Sequence, residues 1–515
     1  MMAPRAGVFA AAALLALGPA GARTAVAQNS AYEELQTLSS VLNHVRRNYV
    51  DSVDYAVLVR AAIEGALGSL DPHSRYVRRA AQSRADSIAR GEIAVVGLRL
   101  EEVDGAVVVL SVVPGGPAAR VGLRPGDRLV MVDDTAVADR TAADLELRLA
   151  GPTGSRVALT IERGGRLEPA RFRVVLKRAL LPTRSVTVAR MADSITAYVR
   201  LAELGREAGR EVRAALHHLR HQGATRAILD LRGNPGGLVA AAVDVAAEFL
   251  PQNTLVFRTR GRISDANQDF VTERAGDFVA LPLILLIDEG SASAAEALAA
   301  ALQDHDRALL AGRRTFGKAL VQKPMLLRNG DVVVLTIGRV VSPSGRIIQR
   351  RFQGLRAEQY NALAGSAGAA EDTLVEYRTA GGRIVRAGGG IAPDEQLPPP
   401  PPLPAWWCEV AAFGLVEAVA DSVAHALPAD ATLPGWIARP AEWRARLLPP
   451  FLARVRSRLG IAARVEAAVE AAMARMLATR VAHVRWGADA GAAFELATDA
   501  EAAAAIALFG GMQSR

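Results

Sequence analysis

Cysteine is almost absent: Cys408 is the only one in 515 residues. No intramolecular disulfide can form, so stability must come from packing. Aromatic residues are 5% of the chain, and the formal net charge of +8 is small for the length, with arginines scattered rather than gathered. A nucleic-acid face needs clustered Lys and Arg interleaved with stacking aromatics, so no nucleic acid is expected as a partner. HExxH and GxSxG are missing as well. Gly312, Gly317 and Lys318 copy most of a phosphate loop, but Ala319 stands where a magnesium-holding hydroxyl is required, and Pro324 argues against a helix starting there. Neither nucleotide, metal nor any other cofactor is implied. Long apolar runs are lacking too, since Val8 to Ala20 is too short to span a bilayer comfortably.

Half of the residues are apolar, which indicates a globular chain, and the length suits three or four domains at about 100 to 200 residues each. Arg5, the apolar run that follows and the small-residue pattern Ala25, Val26, Ala27 before Gln28 read as an export signal over 1–27. A periplasmic or cell-envelope location is expected, with membrane contact only if that segment is retained as an anchor. Over 28–90, Leu35, Leu38, Leu42, Val45 and Tyr49 recur at helical spacing, predicting an amphipathic helix from about 31 to 50. A second periodic stretch runs to Leu70 and stops at LDPHSRY, where Pro72 ends it.

From 91 to 178 the texture is strands broken by glycine-rich turns, with short helical candidates at GPAARVGL and TAADLELRLA. This order resembles a PDZ domain. Val96, Gly97, Leu98, Arg99 and Leu100 stand at its carboxylate-cradling loop, and GPAARVGLRPGDRLVMVD at its signature stretch. Consecutive amides at a glycine loop can capture a chain-terminal carboxylate while a peptide adds to the sheet edge. Residues 179–396 alternate strands and helices as an α/β core, with Asn329 and Gly330 marking a hairpin. LPPPPPLP at 397–404 is a stiff linker. The rest, 405–515, is helical and Ala-rich, with Val465, Val469, Ala472 and Met476 as the expected apolar face and Trp406 and Trp407 as candidate anchors to the core.

Chemistry concentrates in DEGSASAAEALAAALQD, 288–304. Ser293 with Glu296 three residues on is a capping box, which explains the pattern structurally. A serine in the first turn of a helix is also placed where the next amide, on Ala294, and the helix dipole can stabilise an oxyanion. Ser291 competes as a nucleophile on composition alone. No histidine is well placed as a base, whereas Lys318 is flanked by Phe316, Ala319, Leu320 and Val321. That apolar setting can depress an amine from its ordinary value of about 10.4, and Gln322 can hydrogen-bond the amine and hold it toward the hydroxyl.

The joint spacing resembles the carboxyl-terminal processing peptidases, or tail-specific proteases: a serine in a GSASxxE-like stretch, a lysine 25 positions later in TFGK, and a glutamine four beyond. DLRGNPGG at 230–237, LDPHSRY, SPSGR at 342–346 and GGGIAPD at 388–394 also match, so the likeness covers about 31–396. Ala295 and Ala319 depart from the Ser and Gly of many members. The resemblance implies a multidomain α/β chain, with a crotonase/ClpP-like peptidase core, an inserted PDZ-like domain, an N-terminal helical region and a C-terminal helical extension. It further implies a Ser293–Lys318 dyad with Gln322, oxyanion amides on Ala294 and on Gly236 or Gly237, and Asp304 with Glu296 in support. Asp304 has an alternative reading as a helix-end residue paired to Arg307 or another arginine. The expected partners are C-terminal tails of substrate proteins, and a homodimer is left open. The rival reading is a tail-binding scaffold that does not cleave.

Overall fold

The computed structural model describes residues 20–78, 94–103, 106–112, 116–123, 127–137, 140, 142–163, 170–180, 184–352, 375–401, 403–404, 406–407, 410, 415–460 and 465–512. Cys408 and most of the expected export signal lie outside them. The chain divides into two compact units, Met1–Leu70 and Asp71–Arg515. The first holds α1 (Ala20–Asn48) and α2 (Tyr55–Gly68). α1 starts earlier than the apolar periodicity suggests and runs unbroken through Ala25, Val26 and Ala27. Leu42 and Val45 are half-buried, while Leu35, Leu38 and Tyr49 are exposed. Asp54 caps α2 by accepting from the Ala56 amide. Among the described residues, no helix is long and apolar enough to cross a membrane.

The second unit opens with β1 (Arg75–Val77) and continues into a β-rich segment. Its elements are β2 (Leu98–Val103), β3 (Ala106–Val112), α3 (Pro117–Arg120), β4 (Arg128–Val132), β5 (Thr135–Ala136), α4 (Ala142–Leu149), β6 (Arg156–Arg163) and β7 (Ala170–Lys177). The sheet order is β2-β3-β4-β6-β7, with β5 on β4, so β2 lies at an edge. Val96, Leu98 and Leu100 turn inward beside Leu129, Leu145 and Ile161 in a core of its own.

The α/β core follows as β8 (Val186–Met191), β9 (Thr196–Leu201), α5 (Ala208–His221), β10 (Arg226–Asp230), α6 (Val239–Ala247), β11 (Leu255–Gly261), β12 (Gln268–Val271), β13 (Leu283–Ile287), α7 (Ala294–Asp304), β14 (Leu309–Gly312), β15 (Leu320–Leu326), β16 (Val332–Val341), β17 (Glu376–Arg378), β18 (Ile384–Arg386) and β19 (Glu395–Gln396). One sheet runs β19-β14-β13-β10-β9-β8, parallel except for β8. Strands buried on both faces need apolar residues at every position, which is why β13 reads LILLI without alternation. Leu283, Leu285 and Ile287 face α5, α6 and α7, whereas Ile284 and Leu286 point the other way, toward Ala502, Ala505 and Phe509. All residues of α7 are buried, and its alanines let it lie close against the sheet. A second sheet, β1-β16-β11-β12 with β15 on β16, carries the strand that follows Lys318. A strand, not a helix, succeeds that lysine, as Pro324 requires.

The C-terminal region is α8 (Leu415–Ala426), α9 (Leu433–Ile437), α10 (Pro440–Leu459), α11 (Ala467–Trp486), α12 (Ala488–Ala497) and α13 (Ala500–Met512). Two expectations are corrected here. Trp407 packs with Phe451, Trp443 and Phe494 inside the helical cluster, with Trp406 against it, so neither tryptophan anchors the region to the α/β core. The buried face of α11 is Val469, Met473, Leu477 and Val481, and Met476 is exposed. Contacts with α8, α10 and α12 selected the buried phase of this Ala-rich helix.

Candidate active site

β13 ends at Ile287 and α7 begins at Ala294, leaving residues 288–293 to turn the chain onto the helix. Asp288 folds that turn by accepting from the amides of Gly233, Gly290 and Ser291 at 2.8, 3.0 and 3.1 Å. Ser291 is fully buried, donates its hydroxyl to the Leu231 carbonyl at 2.7 Å and accepts from the Asp288 amide, so it is a structural residue. Ser293 is partly exposed and sits at φ 58°, ψ −118°. A left-handed φ at a non-glycine residue costs about 1 to 3 kcal/mol and persists only where the surroundings enforce it. It places this serine at a strand-to-helix elbow without the usual flanking glycines. The next amide, on Ala294, has no protein partner among the described residues, as the first N–H groups of a helix have none within it.

DLRGNPGG lies directly beside this turn. A Cβ on Gly236 (φ +97°) would fall 2.7 Å from the Ala292 carbonyl, 2.9 Å from the Ala294 nitrogen and 3.0 Å from the Ser293 Cβ, so only glycine fits. Asn234 fastens the loop: it is fully buried, donates to the Leu201 carbonyl, and accepts from the Gly236 amide at 2.9 Å, while its own carbonyl accepts from Ala292. The Gly236 N–H is therefore engaged. Of the two glycines named as oxyanion donors, Gly237 has the amide without a protein partner among the described residues, and Gly236 supplies close approach instead.

Glu296 joins the serine turn to the lysine segment. Its carboxylate is fully buried and accepts four hydrogen bonds, from the amides of Ser293 (2.9 Å), Gly317 (2.7 Å) and Lys318 (2.8 Å) and from the Thr315 hydroxyl (2.6 Å). The Ser293–Glu296 capping box is thus present, and the same carboxylate reaches 22 residues along the chain. Burial pushes the Glu296 carboxyl up to about 7 against the pull of those donors. Thr315 is itself held by Ile391, whose amide donates to its hydroxyl, so GGGIAPD supports the site from behind.

Lys318 is half-buried. Burial lowers its amine below the ordinary lysine value, the Arg75 charge lowers it further, and Glu296 acts in the opposite direction. His73 is held down at about 4, chiefly by burial and then by the charge of Lys318. It stays neutral at physiological pH. The LDPHSRY segment is therefore part of the site. Asp71 shapes its turn by accepting from the amides of His73 and Ser74, and β1 pairs with β16. Gln322 on β15 donates its side-chain amide to the His73 carbonyl at 2.7 Å, a partner that spacing could not have indicated.

Asp304 is not near this centre. It ends α7, about 16 Å of helix from Ser293 at 1.5 Å per residue. There its buried carboxylate pairs with Arg346 at 2.6 Å and accepts from the Ser344 amide. Its partner is thus the arginine of SPSGR, while Arg307 donates to the carbonyls of Phe249, Phe278 and Leu281. In the β-rich segment, Gly97 has φ +78° and β2 is an edge strand of its sheet among the described residues. The Leu100 amide there donates to Glu146 of α4 at 2.8 Å. Among the described residues, no group of three or more His, Cys, Asp or Glu side chains is arranged to hold a metal ion.

Residues 195–356 match the family "Peptidase family S41", and residues 108–163 match the family "PDZ domain". The carboxyl-terminal-processing protease of Synechocystis sp. is 34% identical over 300 residues, covering 56% of this chain and 68% of that one. That of Bartonella bacilliformis is 33% identical over 350 residues, covering 67% and 79%. This chain belongs to the carboxyl-terminal processing protease family. Among solved structures, the photosystem II D1 C-terminal processing protease is 28% identical with a TM-score of 0.38, covering 64% of this chain and 97% of that one. In this processing protease the S41 match includes Ser293, Lys318, Gln322 and the glycine loop, and stops short of Gly390 and of the C-terminal helices.

Proposed function

We propose that this processing protease is an exported serine endopeptidase that captures the C-terminal tail of a substrate protein and cleaves it with a Ser293–Lys318 dyad. The observation that carries this reading is the Glu296 carboxylate, which ties the strained Ser293 to the backbone of a lysine whose ammonium form is disfavoured by burial and by Arg75. Neutral Lys318 takes the proton from the Ser293 hydroxyl, and the alkoxide attacks the scissile carbonyl. The amides of Ala294 and Gly237 stabilise the tetrahedral oxyanion. The ammonium returns its proton to the leaving amine, and water activated by the same lysine clears the acyl-enzyme. Gln322, held on the His73 carbonyl, keeps the lysine segment in register with β1.

Tail capture uses the β-rich segment. A peptide adds as a strand to the edge of β2, displacing Glu146 from the Leu100 amide, and its terminal carboxylate meets the amides of the Val96–Leu100 loop. The captured tail is expected to end in apolar side chains. Export follows from residues 1–27, and N-terminal sequencing of protein recovered from the cell envelope checks it: a start at Met1 in cytoplasmic protein alone overturns it.

The deciding experiment incubates the protein with a substrate ending in an apolar tail and compares Ser293→Ala and Lys318→Ala. Loss of the base is expected to cost about 10²- to 10⁴-fold. Cleavage by either variant at the parent rate refutes the dyad. Tail binding without cleavage by the parent supports the scaffold reading instead.

A further inference from the structure

Arg232 opens the glycine loop, and Arg313 opens the segment that leads to Lys318. Both are largely buried and both carry acidic partners from α13, outside the S41 match. Arg232 is bidentate to Asp230 (2.7 Å), and its other donors reach Asp499 at 2.6 Å and Glu501 at 2.6 Å. The second oxygen of Glu501 pairs with Arg313, whose Nε donates to Glu289 at 2.8 Å and whose far end lies 3.8 Å from Asp288. Asp288 is the residue that folds the Ser293 turn. Asp499 in turn caps α13, accepting from the amides of Glu501 and Ala502. The apolar face of α13, with Ala502, Ala505 and Phe509, is seated on Ile228, Ile284, Leu286 and Ala311 of the central sheet.

One carboxylate therefore spans the bases of the two loops that carry the Gly237 amide and the Lys318 amine. We propose that Glu501 and Asp499 are positioning residues for catalysis, and that α13 is a clamp that sets the oxyanion loop and the lysine segment relative to the Ser293 turn. This rests on the Ser–Lys reading above. The two-point pairs of Arg232 with Asp230 and Asp499 fix its direction as well as its distance, and the two oxygens of Glu501 then tie it to Arg313, which is what two loops on separate strands need if their donors are to converge on one atom. Loosening the clamp leaves tail capture at β2 untouched, so the effect falls on the chemical step.

The test uses the full chain with Glu501→Ala, Glu501→Asp and Asp499→Asn. Steady-state cleavage of an apolar-tailed substrate is measured with the rate at which a small serine-directed phosphonate labels Ser293. The expected result for Glu501→Ala is a fall of about 10-fold or more in kcat and in labelling rate, with KM unchanged. Glu501→Asp recovers part of both. If Glu501→Ala does not fold, Asp499→Asn, which keeps a capping oxygen and removes one ion pair, must still lower kcat several-fold at constant KM. A folded Glu501→Ala protein with parental kcat and labelling overturns the inference, as does a change in KM alone. Ser293→Ala and Lys318→Ala run alongside: parental cleavage by those variants refutes the dyad itself, and is told apart from a failure of the clamp.

Discussion

The carboxylate of Glu296 accepts a hydrogen bond from the backbone of Ser293 at 2.9 Å and from the backbone of Lys318 at 2.8 Å. A contact that helix capping explains locally is also the cross-link between two chain segments. Glu296→Gln presents an NH₂ group where only donors point, leaving buried amides without acceptors at about 1 to 3 kcal/mol each. Cleavage should fall at least 10-fold.

The same residue predicts a slope of stability with pH. Its carboxyl titrates at about 7 in the folded chain against an ordinary 4.5, so the folded state binds the proton more tightly across that window. Its contribution to stability is full below the unfolded value and declines as pH rises toward 7. His73, held at about 4, acts in the opposite sense: its stabilisation is lost as pH falls from 6.5 toward 4. Urea unfolding at several pH values, taken as parent minus Glu296→Gln, isolates the first slope. A difference that is flat from pH 4.5 to 7 contradicts the assignment.

Arg75 lowers the amine of Lys318 through its charge. Replacing it with Gln lets the ammonium persist to higher pH, so the acid limb of the kcat profile should move upward. A profile that stays in place, or moves down, speaks against Lys318 as the base.

Ser291 and Ser293 separate cleanly. Ser291→Ala removes a buried hydroxyl that bonds Leu231 and Asp288, and should cost about 1 to 3 kcal/mol of stability while leaving phosphonate labelling in place. Ser293→Ala should abolish labelling with little loss of stability. Mass spectrometry of the labelled peptide distinguishes the two.

Glu146 occupies the edge amide of Leu100 that a captured tail would need. Glu146→Ala should strengthen binding of an apolar tail several-fold, as expected from a net hydrogen bond of about 0.5 to 1.5 kcal/mol. Fluorescence polarisation with a labelled tail measures it, and weaker binding would show that Glu146 contacts the peptide instead.

Local pattern was legible where one element decides its own form. The α7 stretch AAEALAAALQD, the apolar run of β13 and the Asn329–Gly330 hairpin are readable because period, capping and turn chemistry act over a few residues. The 25-residue spacing of Ser293 and Lys318 carried meaning only through its resemblance to the carboxyl-terminal processing peptidases. Partner choice was not legible. Asp304 beside Arg346, Gln322 on the His73 carbonyl, Asn234 on the Leu201 carbonyl and Glu501 astride two arginines each join residues tens to hundreds of positions apart. Composition and periodicity name the groups and their hydrophobic faces. Which donor meets which buried carboxylate is decided only when the packed sheets and helices exclude water and leave each polar group a single place to bond.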